Sequence, residues 1–134
     1  MSRYVRVELA ARPVARDELR SALAGLGLAA ELAELPGGLM LTGNFECAGE
    51  PVDLRLPAGA LGAIADFGLR LDRGRWQVVC GEHDRAHLDA RLVGPLRQAL
   101  EAARVRAAAE AAGLPVEAVQ EADGTLRLRL RPPA

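Results

Sequence analysis

The stretch Leu126-Arg127-Leu128-Arg129-Leu130-Arg131 admits one regular backbone. Alternate side chains of a strand point to opposite faces, so the leucines fall on one side and the arginines on the other; a helix would scatter both sets around its axis. Burying a row of arginines against apolar neighbours is costly, so the leucines are expected to face a core and Arg127, Arg129 and Arg131 to face water. The same period of two governs the other end of the chain, where Val5, Val7 and Leu9 alternate with Arg6 and Glu8. Half-wet strands at both ends predict a mainly antiparallel sheet with one solvated face.

The segments between follow from period and punctuation. Pro13 and Asp17 introduce a helix over about 17–26, with Leu19, Ala22, Leu23 and Leu26 at helical spacing and Gly25 and Gly27 at its end. Leu28, Ala30 and Leu32 alternate as a short strand, and Pro36-Gly37-Gly38 is a turn. Leu39 to Leu41 and Val52 to Leu56 read as two further strands. A hairpin follows, Ile64 to Leu71 and Arg75 to Cys80 about a turn at Asp72-Arg73-Gly74. From His87 to Ala112 the period becomes helical, with Leu88, Leu92, Leu96, Ala99, Leu100 and Ala103 in one stripe. Gly94-Pro95 predicts a kink or break, because proline has no N–H and clashes with the carbonyl four residues back. Gly113 is the stop. A last hairpin joins Val116–Gln120 to Thr125–Arg131 through Asp123-Gly124.

The predicted order is β-α-β-β-β-β-β-α-β-β, a two-layer α+β sandwich with both helices on one face of the sheet. At 134 residues, half of them apolar, the chain is long enough to bury a core without a metal or disulfide and is read as one domain over residues 1–134.

Charge and composition narrow the function classes. The 17 basic residues are all arginine and face 18 acidic ones, for a net charge of −1; attachment to nucleic acid or membrane by bulk charge is not expected. The absence of lysine points to a GC-rich genome. No apolar run approaches a membrane span, and Met1-Ser2-Arg3-Tyr4 leads into the first strand with no apolar signal-type region. Cys47 and Cys80 are too few for a disulfide framework and read as reduced cytosolic thiols. Aromatic residues make up only 3% of the chain, so platforms for stacked bases are scarce.

The densest chemistry is Cys80-Gly81-Glu82-His83-Asp84-Arg85-Ala86-His87. Cys80, His83 and His87, with Cys47 from another segment, have the donor types of a Cys₂His₂ zinc site, and Cys80 with His83 those of a nucleophile and base. The plainer reading is preferred: a polar loop entering a helix, Asp84 as its N-cap, and Cys80 a small core residue. No metal and no cofactor is therefore expected. Asp66-Phe67-Gly68 spells a kinase metal motif but lacks the glycine-rich loop, the strand lysine and the catalytic loop; it reads as a strand with Phe67 buried and Gly68 permitting close backbone approach. The Ala-dense run 101–112 is a helix former that also lets another helix come close.

Arg6, Arg55 and Arg70 stand at outward positions of their strands. With Arg127, Arg129 and Arg131 they would form a guanidinium surface suited to carboxylates or phosphates, unless Glu8, Asp53, Glu117 or Glu121 pair with them across strands. A protein partner, or a second copy of the chain, is the expected occupant. Nucleic acid is the less favoured one, since aromatic stacking residues other than Tyr4 are missing.

Three segments in series, Val52-Asp53-Leu54-Arg55-Leu56, Ala65-Asp66-Phe67-Gly68-Leu69 and Trp76-Gln77-Val78-Val79, resemble the hypothetical chloroplast reading-frame family thirty-five of plastids, cyanobacteria and other bacteria. So do the long helix ending at Gly113-Leu114 and the run Gln120-Glu121-Ala122-Asp123-Gly124-Thr125-Leu126-Arg127-Leu128. The resemblance spans about Tyr4 to Arg131. Where that family is expected to carry aromatics this chain reads Gly81-Glu82-His83-Asp84 and Leu100-Glu101-Ala102, as a divergent bacterial member. The resemblance implies a fold and no activity. The reading is a cytosolic, non-catalytic accessory or adaptor domain that binds a protein through its arginine-bearing sheet face or hairpin edge. An RNA-binding module is the first alternative and a metal- or Cys-dependent enzyme the second.

Overall fold

The computed structural model describes residues 3–10, 12–43 and 49–114, and the backbone of 116–120 and 126–130. The chain order is β1 (Tyr4–Glu8), α1 (Arg16–Gly25), β2 (Glu31–Leu32), β3 (Leu39–Leu41), β4 (Glu50–Val52), β5 (Leu54–Leu56), β6 (Phe67–Asp72), β7 (Arg75–Gly81), α2 (Arg85–Leu88), α3 (Gly94–Ala111), β8 (Val116–Gln120) and β9 (Leu126–Leu130). Among these, β1-β7-β6-β5-β2 form a five-stranded sheet, while β3-β4 and β8-β9 form two-stranded sheets; every pairing is antiparallel. The architecture is α+β, as the alternation predicts. The chain, read as one domain from its sequence, groups into two compact units, Met1–Arg97 and Gln98–Ala134.

In the first unit, one face of the large sheet is apolar. Phe67, Leu69, Trp76, Val78, Cys80, Leu54 and Leu56 are all at most 2% exposed. The helical segments supply Leu19, Leu23, Leu88, Leu92 and Leu96 to the same core. The Trp76 indole N–H donates to the Val14 carbonyl at 2.8 Å, tying the entry of α1 to the sheet. The β6–β7 turn has Arg73 at φ 52° and Gly74 at φ 80°, the two left-handed residues that a hairpin matching the strand twist requires.

Two differences from the sequence reading have clear causes. The segment 52–56 is not one strand. Val52 ends β4 and Leu54 begins β5, in different sheets. Asp53 between them donates its N–H to the Leu69 carbonyl and accepts from the Ala33 N–H through its own carbonyl, both at 2.9 Å. The order therefore gains a strand, and β3-β4 folds over the second face of the sheet as a flap. The helix after β7 also starts earlier than expected, through a tight turn at Glu82–Asp84, then α2, then a widened π turn at Asp89–Val93. Pro95 cannot bond the carbonyl of Arg91 and its ring pushes that carbonyl away; the π turn holds Arg91, so the expected break at Gly94-Pro95 takes the form of a wide turn rather than a gap.

In the second unit, α3 ends as predicted at Gly113, which has φ 74°. The Leu114 N–H reaches back to the Ala109 carbonyl at 2.8 Å and the Gly113 N–H to Glu110 at 3.0 Å, closing the helix end. The hairpin pairs Val116 with Leu130, Glu117 with Arg129, Ala118 with Leu128 and Val119 with Arg127. The expected turn at Asp123-Gly124 and the residue Arg131 lie outside the described residues.

Candidate functional site

Directly paired residues share a face, so the register assembles the second face of the large sheet row by row. One row runs Arg6, Val79, Gly68, Arg55, Glu31 across all five strands. The next holds Glu8, Gln77 and Arg70. The three arginines predicted to point outward from this sheet thus lie on one face. Arg127 and Arg129 belong to the separate two-stranded sheet β8-β9.

The flap decides what the face can do. Its inner side carries Leu41 and Val52, fully buried with Val79, with Tyr4 and Leu39 packed against them. A side chain at position 68 would strike the Leu54 carbonyl oxygen and Val52; glycine there is what lets Val52 seat on the sheet. Arg6 reaches Glu50 of β4 at 3.0 Å. Arg55 donates to the Met40 carbonyl of β3 at 2.8 Å and through Nε to Glu31 at 3.0 Å. Both arginines therefore clasp the flap. On the same face Arg75 pairs with Glu8 at 3.1 Å.

Arg70 differs. It is half-buried, and no described group hydrogen-bonds or ion-pairs with it. It lines a cleft of about 650 Å³ shared with Val14, Ala15, Arg16, Pro36, Leu71 and Trp76. Leu71 is 47% exposed there.

Three carboxylates are buried among the described residues, Asp53, Asp66 and Asp84, and each holds backbone N–H groups of distant loops. Asp53 accepts from Gly37 at 2.8 Å and Leu71 at 2.7 Å. Asp84 accepts from Ile64 at 2.9 Å and Ala65 at 3.0 Å. Asp66 accepts from the Tyr4 hydroxyl at 2.7 Å, the Thr42 N–H at 2.7 Å, the Thr42 hydroxyl at 3.0 Å and the Gly43 N–H at 2.9 Å. Burial pushes the Asp66 carboxyl up, but these four donors outweigh it and hold its pKa below the ordinary value. Asp84 is thus no side-chain cap for the helix that follows it, contrary to expectation; its oxygens go to the 64–65 backbone. Sequence reasoning set Asp53 among outward-facing partners and missed its anchoring role. The signal available was an acid flanked by apolar residues on both sides, Val52-Asp53-Leu54 and Ala65-Asp66-Phe67.

The Cys80–His87 cluster is not brought together. Cys80 is 1% exposed on the apolar face of β7. Burial, with the charges of Asp84 and Asp89 outweighing Arg85, pushes its thiol up to about 11, so it is protonated at neutral pH and a poor nucleophile or ligand. The His83 ring lies by Gly81, toward the opposite face, with Nε2 3.7 Å from Asp84. His87 Nε2 is 2.6 Å from the Leu61 carbonyl oxygen. Cys47 lies outside the described residues. No three of His, Cys, Asp and Glu converge on a metal-sized site among the described residues. None of the described helices is long and apolar enough to cross a membrane. Tyr4, the aromatic that could have served stacked bases, is committed to Asp66 and the flap core.

Comparison with protein-family models, with curated proteins and with solved structures finds no match.

Proposed function

We propose that the protein is a cytosolic, non-catalytic accessory or adaptor domain that holds a protein partner through the arginine-bearing side of its C-terminal hairpin. The observation that carries this reading is that β8 and β9 make a sheet of their own and ladder to no further strand among the described residues. A two-stranded ribbon is marginal alone and gains from any surface that completes it. Its register pairs Val119 with Arg127 and Glu117 with Arg129, and the alternation of the sequence sets the arginines on one face of the ribbon and the leucines on the other. Arginines repeat along that face at about 6.6–7 Å, the spacing of alternate strand residues. Such a row without aromatic neighbours suits carboxylates on a partner better than stacked bases. The sheet face contributes less to this reading, because Arg6 and Arg55 are engaged by the flap. Membership of the plastid reading-frame family, as a divergent member, is part of the same proposal and rests on the segments quoted above.

The test is charge reversal, Arg127→Glu with Arg129→Glu. The double variant should keep its fold by circular dichroism, since the sequence pattern expects both arginines to face water and substitutions at such positions typically cost no more than about 0.5 kcal/mol each. It should lose the partner that the wild-type chain retains stoichiometrically in affinity capture. Retention of that partner at wild-type levels would move the binding surface elsewhere.

A further inference from the structure

We infer that the cleft beside Arg70 is a second binding site, for an extended acidic segment of a protein partner, with a carboxylate on the Arg70 guanidinium and an apolar side chain on Leu71. The inference is independent of the hairpin and rests on residues of the first unit alone.

The site is built by a mismatch of strand lengths. β5 pairs with β6 only over Phe67 to Leu69, whereas β6 continues to Asp72. On that side, Arg70 and Leu71 therefore have no laddered neighbouring strand among the described residues. The Leu71 N–H, which a strand would have bonded, is met by the Asp53 carboxylate at 2.7 Å. The notch is walled by Pro36 and Gly37 of the turn before β3, by Pro51 of β4, and by Val14, Ala15 and Arg16 at the start of α1.

Charge decides the occupant. Arg6, Arg55 and Arg75 on this face each have an acidic partner; Arg70 has none among the described residues. Arg16, on the facing wall, is held to the Ala33 carbonyl at 2.7 Å and adds a second fixed positive charge. Of the acids in the cleft, both Asp53 oxygens accept backbone N–H groups. Glu34 remains at the rim and disfavours a second carboxylate at its end, which orients the segment with its acid toward Arg70. A phosphate is less well served: the Gly37 N–H that could have cradled it is taken by Asp53, and Trp76, 2% exposed, offers no face for a base. A planar carboxylate matches a single guanidinium fork. Leu71, on the other face of β6, paired with Trp76 and 47% exposed, gives the next, apolar side chain of an extended segment lying along the open strand edge somewhere to lie.

The experiment uses the full chain and three fluorescein-labelled probes: a pool of hexapeptides alternating Asp or Glu with Leu or Val, the same pool with Lys in place of the acids, and an oligouridylate of matched charge. Fluorescence anisotropy should show binding of the acidic pool only. Arg70→Gln should weaken it about tenfold or more, the loss typical of a charge-assisted bond. Leu71→Ser should weaken it as well, and Arg70→Lys should restore part of the affinity. Arg3→Gln, which removes an exposed arginine that does not line the cleft, should bind as wild type. Equal binding by Arg70→Gln overturns the site, as does a preference for the oligouridylate or no binding of the acidic pool. Thermal melts of each variant confirm that binding is lost without unfolding. Because the hairpin is read by Arg127→Glu with Arg129→Glu, either proposal can fail without the other.

Discussion

At the scale of single residues, the first unit is organised by buried acids that serve as anchors. A carboxylate accepting several backbone N–H groups replaces water for loops that have no ladder of their own. Asp66 is the best served, holding β1, through Tyr4, and the end of β3 at once. Its folded pKa is depressed, so its contribution to stability is complete above the unfolded value of 3.8 and is lost as the pH falls through the folded value. Urea unfolding followed from pH 6 down to pH 2 should show the wild type losing more stability over that acid limb than Asp66→Asn, which has no proton to take up there. Tyr4→Phe should cost roughly 1.5–3 kcal/mol, as for a hydrogen bond to a charged group, and should reduce the same acid-limb slope. At Cys80 the opposite shift applies. With its thiol near 11, it should resist iodoacetamide in the folded protein at neutral pH and react once the chain is unfolded, as read by peptide mass spectrometry.

At the scale of elements, β6 and β7 depend on two glycines for different reasons. Gly74 occupies a left-handed position at φ 80°, so Gly74→Val should lower stability by about 1 kcal/mol or more. Gly68 is needed for space. Gly68→Ala forces its methyl onto the Leu54 carbonyl and Val52 and should cost roughly 1–3 kcal/mol, with the exchange of amides in β4 accelerating before those of β7. The sequence made the longer elements plain. Val5 and Val7, or Leu19 and Leu23, carry enough periods to fix type and face, and Asp72-Arg73-Gly74 names its own turn. The flap was hidden because β3 and β4 are three residues each, too short for a period, and because the break at Asp53 interrupts no hydrophobic pattern. The candidate site was half legible for a related reason. Alternation is local, so it could place Arg6, Arg55 and Arg70 outward. The neutralisation of Arg6 by Glu50 and of Arg55 by Glu31 depends on a strand register that no local pattern contains.

At the scale of the whole molecule, the core is leucine-rich and its polar anchors are supplied by the chain itself. Thermal melts with and without a chelator should therefore superimpose; a large chelator-induced drop would return Cys47, Cys80, His83 and His87 to consideration as ligands. The topology also sets an order of events during synthesis. Among the described residues β1 has β7 as its only strand neighbour, with Tyr4 opposite Gly81 and Glu8 opposite Gln77, and Asp66 must arrive before Tyr4 has its acceptor. Once synthesised, β1 consequently waits for β7, the last strand of its sheet in chain order, holding Val5 and Val7 in reach of chaperones and proteases meanwhile. Trp76, the single tryptophan, docks on Val14 in the same closure, so its fluorescence on nascent chains of increasing length should change in one late step rather than gradually.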